Sequence, residues 1–164
     1  MNKSVILLVI ALALIVFVGL RARKSTEHTQ ASSKFPISKT DAQWKEELSP
    51  QAYQVLRQHS TERPNTSPLN LVKAAGDFTC VGCGNLLFKT EHKFDSGTGW
   101  PSFYQPASQD SVGSSTDYKL VYPRTEVHCA RCGGHLGHVF SDGPKPTGKR
   151  YCINGVCLEF QPEE

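Results

Sequence analysis

Hydrophobic and polar positions divide this chain into three textures. The first is an apolar run. Between Lys3 and Arg21 lie seventeen uncharged residues, of which only Ser4 is polar. A helix rising roughly 1.5 Å per residue carries this run about 26 Å, a little short of the roughly 30 Å hydrocarbon core, and Lys3 and Arg21 can snorkel to close the gap. Residues 1–24 are therefore expected to be an N-terminal transmembrane helix, or a signal segment if cleaved, although no good Ala-x-Ala site follows. This predicts a single-pass membrane protein. The flanking charges differ by only one, which leaves the side of the membrane open. The second texture, residues 25–39, is polar, aperiodic and rich in Ser, Thr and Lys, and reads as a flexible linker.

The third texture, residues 40–164, predicts a folded domain. Asp41 begins the acidic stretch DAQWKEEL, and Ser49-Pro50 supplies a second cap with proline at the first helical position, so two short helices are expected. Tyr53, Val55 and Leu56 give the second helix an apolar stripe. Beyond Arg63-Pro64, short strand-like pieces alternate with Gly, Pro, Ser and Asp: 78–80, 86–88, 112–114, 125–129, 138–140, 150–154 and 158–160. That spacing predicts a mainly β, antiparallel domain.

Composition changes this picture little: 38% hydrophobic and 20% charged residues suit one globular core. The formal charge of +3 is small, and Arg21, Arg23 and Lys24 cluster beside the apolar run, so nothing argues for nucleic acid.

The six cysteines carry more information. Cys80-Val81-Gly82-Cys83-Gly84 and Cys129-Ala130-Arg131-Cys132-Gly133 are two knuckles of one form, about 45 residues apart. In each, two thiolates can face one ion and the following glycine permits a tight turn. Four thiolates satisfy tetrahedral Zn(II), so Cys80, Cys83, Cys129 and Cys132 are expected to hold one structural zinc ion with no open position for substrate. A pair of disulfides, a redox Cys-x-x-Cys or an iron site are the alternatives. His128, beside Cys129, is not needed as a ligand.

Of the two remaining thiols, Cys152 has Arg150 two residues away, on the same face of a strand, where it would favour the thiolate. Taken alone, an isolated strand cysteine also reads as a small buried hydrophobe. The longer segments around it are more specific: Phe94-Asp95-Ser96-Gly97-Thr98-Gly99-Trp100-Pro101-Ser102-Phe103, then His135-Leu136-Gly137-His138-Val139-Phe140-Ser141-Asp142-Gly143-Pro144, then Pro146-Thr147-Gly148-Lys149-Arg150-Tyr151-Cys152-Ile153-Asn154. With the two knuckles, they resemble the B-type peptide methionine sulfoxide reductases over residues 41–161.

The resemblance implies two antiparallel sheets with short N-terminal helices. It also implies reduction of the R epimer of methionine sulfoxide in proteins and peptides. Cys152 matches the family's nucleophile; Trp100, His135, His138, Asp142, Arg150 and Asn154 match its substrate pocket. Such chemistry needs a thiolate aimed at sulfur and a proton donor aimed at oxygen. Cys152 would supply the first, and His135 and His138 would converge on the oxygen. Asp142 would fix a water or an imidazole proton, and Trp100 would face the S-methyl group. A Cys152 sulfenic acid would remain, to be reset by thioredoxin or another thiol.

The sequence departs from the family pattern at Thr98, where many relatives carry a resolving cysteine. Either an external thiol or Cys157 must then resolve the sulfenic acid, or Cys157 merely packs. Asn65-Thr66-Ser67 departs from the usual aromatic and glycine, but in a loop without assigned chemistry. Two other classes compete. A zinc-dependent binding module would need a basic or aromatic face and has no use for the 150–154 segment. A membrane-tethered disulfide oxidoreductase would need reactive knuckle thiols.

Overall fold

The computed structural model of the protein describes residues 34–118, 120 and 122–163. Among the described residues, two helices come first. Helix α1 (Asp41–Glu47) is capped not by Asp41 but by Thr40, whose hydroxyl accepts from Gln43 N while the Gln43 side chain accepts from Thr40 N. This reciprocal pair satisfies two otherwise orphaned donors and leaves Asp41 in the first turn, where the helix dipole favours it. Helix α2 (Pro50–Gln58) has the expected Ser49 cap, with proline in the first turn, and buries Ala52, Tyr53, Val55 and Leu56. It ends at His59, a left-handed C-cap with φ 55°.

Nine strands follow: β1 (Gly76–Cys80), β2 (Leu86–Lys89), β3 (Lys93–Phe94), β4 (Ser102–Phe103), β5 (Val112–Asp117), β6 (Arg124–Cys129), β7 (His135–Phe140), β8 (Arg150–Ile153) and β9 (Leu158–Pro162). They form two antiparallel sheets, three-stranded β2-β1-β9 and six-stranded β3-β4-β8-β7-β6-β5. The expected mainly β, two-sheet architecture is therefore present. Short 3₁₀ turns at Pro68–Leu71, Thr90–His92 and Gly155–Cys157 complete the connections.

Phe78 on β1, Phe88 on β2 and Phe103 on β4 are fully buried and join the two sheets. The Phe88 and Phe103 rings stack at 4.4 Å, and Phe78 meets Phe103 edge-on at 5.0 Å. Burying each such side chain contributes about 1.5–3 kcal/mol. Leu56 from α2, Val127, Leu136 and Ile153 belong to the same core, so the helices cover the six-stranded sheet at β7.

The expected anchor in residues 1–24 lies outside the described residues. Among the described residues, no helix is long and apolar enough to cross a membrane. Single-pass membrane localisation is corrected accordingly. A seventeen-residue run sits at the lower limit of a bilayer span, and hydropathy alone does not establish one. Of the expected linker 25–39, only residues 34–39 are described, and they lie against the domain. Ile37 N donates to Arg131 O at 2.8 Å, and the Phe35 ring meets His128 edge-on.

Candidate functional site

The two knuckles close as their spacing requires. Gly84 N donates to Cys80 O at 2.8 Å and Gly133 N to Cys129 O at 2.9 Å. Both glycines sit at positive φ, 66° and 68°, which costs a residue without Cβ little. The knuckle after β1 thereby faces the knuckle between β6 and β7, one from each sheet. Cys80 Sγ lies 3.8 Å from Cys132 Sγ, and Cys83 Sγ lies 3.6 Å from Cys129 Sγ. Four sulfurs about 2.3 Å from one ion stand about 3.8 Å apart, so the cluster has the dimensions of a tetrahedral thiolate site. All four ligand atoms fall within 4.8 Å of one another. Asn85 Nδ2 approaches Cys129 Sγ at 3.6 Å, the outer-shell donor a thiolate favours. His128 stands outside this cluster.

Cys152 lies in the middle of the six-stranded sheet. Its register partners are Ser102 on β4 and His138 on β7. Directly opposed antiparallel residues project to the same face, so the Cys152 thiol and the His138 imidazole share one side of the sheet. Close approach of β7 and β8 depends on Gly137, where a Cβ would fall 2.0 Å from the Cys152 carbonyl oxygen.

On that face lies a cavity of about 140 Å³ lined by Thr61, Trp100, Arg124, Gly137, His138, Phe140, Cys152 and Asn154. Burial pushes the Cys152 thiol above its ordinary pKa; the Thr98 hydroxyl at 3.9 Å and the charge of Arg150 pull it part of the way back. Thr98 in turn joins a hydroxyl chain, with Ser96 Oγ 2.8 Å from both Thr98 Oγ1 and Ser102 Oγ. A larger groove of about 630 Å³ includes Thr125, Val139 and Tyr151, the register row adjacent to Glu126, His138 and Cys152. Alternation along the strands puts it on the opposite face, and its lining contains no thiol, imidazole or carboxylate.

Trp100, His138, Cys152 and Asn154 thus meet at one cavity, whereas His135, Asp142 and Arg150 do not line it. Arg150 holds Asp142 through Nε and Nη2 at 2.9 and 2.8 Å and lies 4.4 Å above the Phe140 ring, a wall of the cavity. That ion pair keeps the Asp142 carboxyl below its ordinary pKa. His135 is buried, and its Nδ1 meets Glu126 Oε1 at 2.7 Å. Desolvation lowers its pKa to about 4, so it is neutral at physiological pH. Three residues apart on a regular strand, His135 and His138 would face opposite sides. A register shift near His128 and His135 brings their rings within 5.5 Å.

Asn154 is buried and its amide bonds backbone at both ends: Oδ1 accepts from Glu62 N at 3.0 Å and Nδ2 donates to Leu136 O at 2.8 Å. Cys157 is fully buried, with its thiol directed to His135 O at 3.5 Å.

The structure adds carboxylates that residue spacing did not reveal. Asp117 Oδ2 meets His138 Nε2 at 2.8 Å and Arg124 Nη2 at 2.7 Å. Glu62 accepts from Gly155 N and Val156 N at 2.6 and 3.0 Å, and its carbonyl accepts from Trp100 Nε1. A charged residue between Thr125 and Val127 of an expected strand was a possible signal for Glu126. Asp117 gave none, because its strand was expected to end at residue 114.

Fold and site together define a two-sheet β protein with a four-thiol cluster built for a metal ion and a separate thiol in a narrow cleft. The SelR domain model matches residues 48–162. A relative from Methanosarcina barkeri, peptide methionine sulfoxide reductase MsrB, is 53% identical over 128 residues, 78% of this chain and 90% of that protein. Proteins of the same name from Bradyrhizobium diazoefficiens and Leptospira interrogans are 52% and 48% identical, with 77% and 79% of this chain aligned and 91% and 98% of theirs. The chain belongs to the SelR domain family, that of the B-type peptide methionine sulfoxide reductases.

Proposed function

We propose that the protein reduces the R epimer of methionine sulfoxide in proteins or peptides, with Cys152 as nucleophile. The observation that carries this reading is the pairing of Cys152 with His138 in one small cavity beside Trp100. A sulfoxide needs a nucleophile at sulfur and a proton at oxygen, and these neighbours offer both. The Cys152 thiolate attacks sulfur while His138, braced by Asp117, delivers a proton to the oxygen. Oxygen passes from the substrate to Cys152: thiol plus sulfoxide gives sulfenic acid plus methionine, a two-electron exchange. Trp100 presents an apolar plate to the S-methyl group and so selects the epimer.

His135, neutral and tied to Glu126, positions the start of β7. Asn154 likewise acts by holding backbone. Arg150 moderates the burial of Cys152 and is aligned by Asp142.

Thr98 brings a hydroxyl, not a thiol, to Cys152, and Cys157 is enclosed against His135. These placements support resolution by an external thiol over Cys157. The first external thiol condenses with the sulfenic acid to give a mixed disulfide and water. A second thiol, such as the partner cysteine of a thioredoxin-type reductant, then releases Cys152 and leaves as the oxidised disulfide. Cys80, Cys83, Cys129 and Cys132 would hold one structural Zn(II), which would supply a fixed link between the sheets, and the catalytic unit is assigned to residues 40–164.

The test is an assay of the protein and its Cys152→Ser variant on each epimer of a methionine sulfoxide peptide, with dithiothreitol as reductant. Turnover of the R epimer alone, lost on substitution with bound metal unchanged, is the expected result. Equal turnover by the variant would overturn the assignment.

A further inference from the structure

A second set of ligand-type atoms lies apart from the thiols. His59 ends helix α2, Glu126 lies on β6 and His135 opens β7. His59 Nδ1 and His135 Nδ1 approach the same atom, Glu126 Oε1, at 2.8 and 2.7 Å. The three ligand atoms fall within 4.8 Å of one another, and the two imidazole rings stand 5.1 Å apart, tilted by 36°. Ser115 Oγ holds the other carboxylate oxygen, Oε2, at 2.6 Å, which orients the group as an outer-shell donor would.

Two imidazole nitrogens and a carboxylate oxygen form a donor set for zinc-class ions. Ligands at about 2.0–2.1 Å on a tetrahedral ion stand about 3.3–3.4 Å apart, so each imidazole nitrogen needs to withdraw from Glu126 Oε1 by about 0.6 Å. The half-exposed His59 side chain at the helix end has room for such a shift. Each ring would bind the metal through Nδ1 with its proton on Nε2, and the metal would replace the two contacts to one carboxylate oxygen.

The electrostatics favour a cation. Burial raises the Glu126 carboxyl, but hydrogen bonds from Ser115 and His135 outweigh it and hold the group below its ordinary pKa, so it is ionised. The C-terminus of α2 places the negative end of its dipole at His59. Access is one-sided: the His59 side chain is 46% exposed, while that of His135 is 3% exposed. Such a site exchanges its ion with solvent and keeps positions for water, unlike a closed four-thiolate site.

We propose that His59, Glu126 and His135 form a second, exchangeable site for Zn(II), separate from the four-cysteine cluster. Occupancy would fix His135, whose ring lies 5.5 Å from that of His138 in the Cys152 cavity.

The test uses the full chain, purified with its thiolate-bound metal and cleared of loosely held ions on a chelating resin. It is titrated calorimetrically with Zn(II) and, in parallel, optically with Co(II). Uptake of one further ion per chain is expected, and the added cobalt should lack a thiolate-to-metal charge-transfer band. His59→Asn, in which asparagine tolerates the left-handed backbone, should weaken this uptake at least about tenfold while the thiolate-bound metal stays. Glu126→Gln, whose folding is checked by retention of that same metal, should weaken it as well. The proposal falls if no ion binds beyond the first, if affinity is unchanged in His59→Asn, or if the added cobalt carries a thiolate band.

Discussion

Glu62 and Asn154 clasp each other across 92 positions of chain: Glu62 N donates to Asn154 Oδ1 at 3.0 Å in a buried contact. The Glu62 carboxylate then takes the N–H groups of Gly155 and Val156, and its carbonyl takes Trp100 Nε1. One residue before the first strand thus links the segment behind Cys152 to the wall of its cavity.

Glu62→Gln keeps the shape but turns one acceptor into a donor facing an N–H. A buried donor left unpaired costs about 1–3 kcal/mol. The unfolding free energy from urea melts should fall by that amount, and kcat/KM for the R-sulfoxide should drop with it as the Glu62 backbone that holds Trp100 shifts. An unchanged unfolding free energy would show that the carboxylate bears no load.

Because burial raises the Cys152 pKa, its alkylation by iodoacetamide should accelerate with pH from 7 into the alkaline range. Arg150→Met removes a positive charge that favours the thiolate, so its profile should move to higher pH. A flat profile from pH 7 to 9, or a shift to lower pH in the variant, would contradict the assigned environment.

His135 has an ordinary pKa of 6.5, lowered to about 4 in the fold. The unfolded chain therefore binds a proton that the native protein refuses. No penalty exists above pH 6.5; it grows as pH falls toward 4, reaching about 3 kcal/mol, one pKa unit being about 1.4 kcal/mol. His135→Asn should flatten this part of the stability-versus-pH curve, measured as the difference between parent and variant in denaturant melts. Parallel curves would refute it.

Cys132→Ser removes one sulfur from the four-thiol cluster. Bound metal should be lost and the thermal midpoint should drop by about 10 °C or more, since structural zinc contributes its binding energy to folding. Full metal content with an unaltered melt would remove the cluster from the list of stabilising contacts.

Much of the architecture was legible from local patterns. Expected strands at 78–80, 86–88 and 125–129 differ from β1, β2 and β6 only at their ends. The two-residue strands β3 and β4 were not legible, because a pair of residues has no period to read. At the site, the words around Trp100, His138 and Cys152 marked residues that meet in one cavity. His135 was harder to place, since the irregular register of β7 against β6 depends on tertiary contacts and not on spacing. Glu62, Asp117 and Glu126 act through partners 7 to 94 positions away, and no short-range pattern announces such pairs.

The pairing of β1 with β9 sets Gly76 against Pro162. The first strand of the domain therefore waits for the last, and the small sheet can close only once β9 has been made. Until then Cys157, later sealed at zero exposure, meets the same oxidants as Cys152. Folding thus leaves Cys152 open to chemistry and withdraws Cys157 from it, so the number of oxidisable thiols outside the four-cysteine cluster falls from two to one as the small sheet closes.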